Sequence, residues 1–191
     1  MVVRISLLIA LAFFLVPAGC TSTPSAEETE QAFEAAKVKD WQTVESLVKR
    51  NPGLVKSRDE RKTTLLHIAA YKGEKDLVDL LIKNGARVNA RDMDGDMPLH
   101  NAVRAGHKGI VELLISKGAD VNGRGIYGIT PLSVAAKTSS EGIVELLLDR
   151  GADITARDDR GLTALEIAIR KNRREIADLL RRRLKQLHEN R

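Results

Sequence analysis

The sequence is short of cysteine and of aromatic rings. Its one cysteine, Cys20, has no partner within the chain, so no internal disulfide staples the fold. Phe, Tyr and Trp together make up 3% of the 191 residues. A core must therefore be built from Leu, Ile, Val and Ala, a choice that suits helices packed closely together. The same scarcity excludes single-stranded nucleic acid as a partner, because such binding relies on bases stacking on aromatic rings. Long apolar runs are missing too. Residues 5–16 form an apolar stretch of twelve, whereas a helix needs roughly twenty to span a bilayer.

What is present begins with charge. Lys and Arg outnumber Asp and Glu by 31 to 26, giving a formal net charge of +5 and a pI near 9.4. That balance favours acidic partners or anionic surfaces. The basic start at residues 1–4, the apolar stretch and the small residues Ala18 and Gly19 have the order of a secretory signal. Their approach to Cys20 resembles the lipobox of bacterial lipoproteins, in which the cysteine thiol carries a diacylglycerol. Pro17 stands where such signals usually place Leu, Val or Ile. Ordinary cleavage after Ala18, with a free Cys20, is the alternative; it gives the cysteine no task. Lipidation is therefore the expectation, followed by a flexible tether rich in Ser, Thr and Pro. Thr21, in place of an Asp that would retain the chain at the inner membrane, points by the same resemblance to the outer membrane, facing the periplasm.

Downstream the sequence repeats itself every 33 residues. Gly85, Gly118 and Gly151 lie in "NGARVNARD", "KGADVNGRG" and "RGADITARD". "TLLHIAA", "MPLHNAV", "TPLSVAA" and "TALEIAI" recur in phase with them, as do "LVDLLI", "IVELLI", "IVELLL" and "IADLLR". These signatures resemble the ankyrin repeat over residues 59 to about 183. The resemblance implies an all-α solenoid of stacked helix pairs with projecting, hairpin-like fingers. The residue chemistry agrees with it. Thr130 and Thr163 can cap first helices, and Pro98 and Pro131 suit their first turns. The alanine pairs Ala69-Ala70 and Ala135-Ala136 allow close helix approach, and the three glycines suit left-handed helix ends. Residues 27–57 read as a degenerate helical cap, with Asn51 where a glycine would end its second helix. The expected organisation is a signal at 1–19, a lipid-anchored tether at 20–26, that cap at 27–57, and four repeats with a basic C-terminal helical cap at 58–191.

Catalytic chemistry has few residues to use. The resemblance gives His67 and His100 the task of hydrogen bonding between repeats and places His107 in the turn of "AGHKG"; His188 lies in the charged tail. None is left for a metal site or an acid–base role. The segment "DMDGDMP" has Gly95 fourth rather than sixth and Val103 at the twelfth position, so it fits a finger better than a calcium loop. Ser133, Ser139 and Ser140 lack His and Asp partners at any motif spacing, and the glycines form no phosphate-cradling loop. No enzyme activity, cofactor or metal is expected.

Ankyrin arrays generally bind partners through finger tips and the exposed face of each first helix. Arg58, Arg91, Arg124 and Arg157 precede the fingers, again at intervals of 33. Asp59, Asp92 and Asp158 stand beside three of them as candidates to neutralise them. Tyr71, Arg104, Lys137 and Arg170 form a second ladder on the first helices. The third finger, "RGIYGIT", replaces the acidic start with Gly125 and places Ile126, Tyr127 and Ile129 at the tip. A tyrosine flanked by aliphatic residues has the composition of an interface hot spot; the alternative is a finger folded onto its own neighbours. The candidate partner-binding residues are thus Arg91, Arg104, Arg124, Ile126, Tyr127, Ile129, Lys137, Arg157 and Arg170. The expected function is a membrane-anchored, monomeric envelope protein that binds another, acidic protein as scaffold or accessory factor. An immunity-type inhibitor of a toxic enzyme is the alternative.

Overall fold

The computed structural model of the chain describes residues 23–138 and 141–189, without the side chain of His188. Cys20, the signal-like segment before it, and the serines Ser139 and Ser140 lie outside the described residues. Among those described, the chain is all-helical and forms five helix pairs in sequence. They are α1 (Ala26–Lys37) with α2 (Trp41–Arg50), α3 (Leu65–Lys72) with α4 (Lys75–Lys83), and α5 (Pro98–Ala105) with α6 (Lys108–Ser116). After these come α7 (Pro131–Thr138) with α8 (Glu141–Asp149), and α9 (Ala164–Arg170) with α10 (Arg174–Glu189). The first helices, α1, α3, α5, α7 and α9, stack in one row; α2, α4, α6, α8 and α10 stack in a second. No helix among the described residues is long and apolar enough to cross a membrane.

The caps form where the residue types put them. In α9 the Thr163 hydroxyl accepts from the Glu166 N–H at 3.3 Å, while the Glu166 carboxylate accepts from the Thr163 N–H at 2.7 Å. This reciprocal bond satisfies two donors that the helix start would otherwise orphan. The Thr130 hydroxyl likewise accepts from the Ser133 N–H at the start of α7, and Pro98 and Pro131 open α5 and α7. Leu and Val of the second helices are buried: Leu81, Val111, Leu114, Val144 and Leu147 are all fully covered. Ala69, Ala70, Ala135 and Ala136 are also fully covered, and their small size lets the first helices pack close.

The second helices of three repeats end at Gly85, Gly118 and Gly151, with φ of 88°, 87° and 85°. No atom lies within 4 Å of where a Cβ on Gly118 would sit, so the constraint there is the backbone and not crowding. Gly118→Val is therefore expected to cost about 1–3 kcal/mol, because a β-branched residue is forced into the left-handed region. In a stacked array the loss spreads to both neighbouring pairs. Urea unfolding checks this; an unchanged midpoint would contradict the placement of the helix end.

Asn51 departs from the glycine pattern. Its φ is −132°, and its side chain accepts from the Gly53 N–H to open a 3-10 turn at Pro52–Lys56. The first pair thus ends in a turn stabilised by a side chain, where the next three pairs end in a left-handed glycine.

Candidate functional site

Four fingers link one helix pair to the next, and each is closed by the same backbone bond: Asp59 N–H to Thr63 O, Asp92 to Asp96, Gly125 to Ile129, and Asp158 to Leu162. In three of them a carboxylate holds the turn from inside. Asp59 accepts from the N–H groups of Arg61 and Thr63, Asp92 from Asp94 and Asp96, and Asp158 from Arg160 and Leu162. Of the three carboxylates in "DMDGDMP", Asp92 is the one engaged in this way; Asp94 pairs with Arg61 and Asp96 with Arg104. Burial acts to raise the carboxyl pKa of Asp158, but the Leu162 N–H and Arg160 outweigh it and hold the group below its ordinary range. Among the described residues none of Asp59, Asp92 and Asp158 forms an ion pair with the arginine that precedes it; each of these carboxylates bonds within its own turn.

The arginine column has a different occupation. Arg58 donates to the carbonyl oxygen of Arg91 at 3.0 Å, Arg91 donates to that of Arg124, and Arg124 to that of Arg157 at 3.0 Å. Arg124 also reaches Asp159 at 3.1 Å, and Arg157 donates to Gly161 O at 2.7 Å. The guanidinium groups of Arg58, Arg91 and Arg124 each span to the next finger and serve first as a stitch along the finger row, whereas Arg157 bonds within its own finger. A parallel stitch runs between the loops after the second helices. Asn89 donates to Gly118 O and accepts from Asp120 N–H; Asn122 does the same with Gly151 and Asp153. Sequence reasoning passed over these asparagines, although their spacing of 33 was visible.

The third finger is built differently. Without an acidic side chain at position 125 it has no internal carboxylate, and Asp96 of the preceding finger takes up the space. A Cβ on Gly125 would fall 2.0 Å from Asp96 Oδ1, so a side chain there would have to displace that carboxylate. The other Asp96 oxygen pairs with Arg104 at 2.5 Å, and the carboxylate is 4% exposed. The finger then turns through a short 3-10 segment at Ile126–Gly128, with Tyr127 itself at φ 55° and ψ 29°. The equivalent tip residues Arg61, Asp94 and Arg160 do not share that left-handed conformation. An aromatic residue there costs about 1–3 kcal/mol and persists only where its surroundings hold it. Its side chain is 66% exposed, whereas Ile126 and Ile129 are half-buried. The expectation of three exposed tip residues therefore holds for the tyrosine alone. Ile129 packs against the core, and Ile126 is half-covered beside it.

Tyr127 forms one wall of a groove of about 620 Å³ along the face made by the first helices and fingers. Ile126, Ile129, Val134 and Ile167 make its apolar surface; Arg104, Lys137, Arg160 and Lys171 supply its charge. Of the nine residues singled out from sequence, Arg104, Ile126, Tyr127, Ile129 and Lys137 come together here. Arg91, Arg124 and Arg157 line the finger column instead. Arg170 does not line the groove, and its neighbour Lys171 takes that place. Val134, Ile167 and Lys171 were missed because the groove spans three repeats, and only the stacking brings them together.

A solenoid of stacked helix pairs with projecting fingers, stitched across repeats and carrying a groove on its finger side, is a repeat-protein scaffold. Two ankyrin-repeat family models match the chain, at residues 32–125 and 114–168. Together they span well over half of it, and the chain belongs to the ankyrin-repeat family. The first match begins inside α1, within the segment that the sequence reading took as a degenerate cap. A comparison with curated proteins finds no match. Ankyrin repeats indicate a protein–protein interaction module, and proteins of the family are typically non-enzymatic.

Proposed function

We propose that the protein is an exported, lipid-anchored binding module of the bacterial cell envelope, and that it holds a second protein on its finger side. The observation that carries the binding reading is Tyr127: a large aromatic side chain held outward on a left-handed backbone at the rim of a largely apolar groove. Buried aromatic anchors in pockets ringed by polar groups dominate the affinity of many interfaces. Export and anchoring rest on the sequence around Cys20, where a short apolar stretch and two small residues precede the chain's one thiol. A lipid anchor burying acyl chains at about 0.8 kcal/mol per methylene keeps the module in its own envelope.

Two measurements test the two parts of this reading. Cys20→Ala is expected to abolish labelling of the protein by a fatty-acid probe, since no other thiol is available; labelling that survives removes the anchor. Affinity capture from detergent-solubilised envelope is expected to recover one partner with the full chain. Tyr127→Ala should weaken its retention by about 2 kcal/mol or more, with unchanged thermal unfolding. Equal capture by both forms would place the partner elsewhere.

A further inference from the structure

The groove beside Tyr127 contains two kinds of cation. Arg104 is held by Asp96 and by Asn101, and Arg160 by Asp158 at 2.6 Å. Lys137 and Lys171 are exposed and form no ion pair among the described residues. Between the two classes lies an apolar surface of Ile126, Ile129, Val134 and Ile167. The two paired arginines already have their counter-charges; the two lysines do not. Resting on the proposed binding role of this face, we infer that the groove takes an extended acidic segment of a partner protein, with one aliphatic or aromatic side chain in the apolar part and carboxylates on Lys137 and Lys171.

Charge complementarity selects this occupant. A basic or neutral segment would leave both ammonium groups without counter-charge beside a surface that excludes water, which is unfavourable. A purely acidic segment would leave the apolar walls exposed. The spacing adds a sequence rule. Lys137 sits in the last turn of α7 and Lys171 directly follows α9, and adjacent packed helices lie about 8–10 Å apart. An extended chain advances about 3.3–3.6 Å per residue, so the two acids should stand about three positions apart, with the apolar residue between them. Arg58, Arg91 and Arg124, bound to carbonyls of the next finger, and Arg157, bound within its own, are not part of this recognition.

The test is selection of random twelve-residue peptides displayed on phage, against the immobilised full chain in detergent. Enriched peptides are then synthesised and their affinities measured by fluorescence anisotropy. The expected result is a shared pattern of one Leu, Ile, Phe or Tyr between two acids about three positions apart. Lys137→Glu with Lys171→Glu should weaken these peptides by about tenfold or more and remove most of the salt dependence. Both lysines are exposed, and unchanged thermal unfolding of the double variant shows that its fold is intact. Enrichment of neutral or basic peptides, or no enrichment, would overturn the inference. So would acidic peptides that bind the double variant as well as the original. Peptides lost with Tyr127→Ala but indifferent to the lysines overturn this inference and leave the binding face standing. Peptides indifferent to all three substitutions overturn both.

Discussion

His100→Ala is expected to lower the stability of the array by about 3–5 kcal/mol. His100 is fully buried, and its imidazole joins two repeats. Nδ1 accepts from the Met97 N–H at 3.1 Å, which leaves Nε2–H to donate to the carbonyl oxygen of Ile129 at 3.1 Å. Truncation leaves the buried Met97 N–H without a partner, at about 1–3 kcal/mol, removes the inter-repeat bond to Ile129 O, which keeps the Gly125 N–H, and opens a cavity besides. His67 does the same work one repeat earlier: it accepts from Thr64 N–H and donates to Asp96 O at 3.1 Å. Denaturant titration of the single variants measures the effect. A loss below about 1 kcal/mol, the net worth of an ordinary exposed hydrogen bond, would mean that these rings are fillers and that the repeats are held by packing alone.

Acidification is expected to weaken the fold well before the carboxylates titrate. Burial holds the pKa of both His67 and His100 below the ordinary imidazole value, against Asp92 and the Asp96 carbonyl at His67 and against Asp96 and the Ile129 carbonyl at His100. Arg58 acts with burial at His67, and Arg104 and Arg91 act with it at His100. A depressed histidine pKa means that the unfolded chain binds protons more readily than the folded one. Stability is then full above about pH 6.5 and falls as pH drops below it, by up to about 1.4 kcal/mol per pH unit for each ring. Protonation would also turn Nδ1 into a donor facing a backbone N–H. The carboxylates with lowered pKa, among them Asp158 and Glu166, act only below about pH 4.5. Unfolding free energies at pH 7.5, 6 and 5 check this, with His100→Gln expected to flatten the slope. A profile level from pH 7.5 to 5 would show that the rings take up protons inside the fold.

The features legible in the sequence are those that each repeat settles by itself. Left-handed helix ends at Gly85, Gly118 and Gly151, the Thr163 cap and prolines in first turns follow from residue type at a fixed phase, and the inter-repeat role of His67 and His100 from the resemblance to the ankyrin repeat. What escaped depends on the neighbouring repeat. The targets of Arg58, Arg91 and Arg124 are carbonyls 33 residues on, which no charge pattern reveals. Gly125 reads as a missing acid, but its physical reason is the Asp96 carboxylate of the preceding finger, which a Cβ would have to displace. Ile129 reads as exposed, but it packs against a core that the sequence pattern alone does not place beside it. The groove was half legible: Tyr127, Lys137 and Arg104 stood out as exposed positions on one strip. Val134, Ile167 and Lys171 belong to it through stacking of α7 and α9 alone.

Amide hydrogen exchange of the full chain, with and without its captured partner, tests most directly whether the finger side of the array is the binding face. The expected result is slowed exchange in residues 124–129 and 157–162 and along α7 and α9, with α4, α6 and α8 unchanged. Slowing confined to those second helices, or to α1 and α2, would put the partner on the opposite side or on the first helix pair and contradict the account.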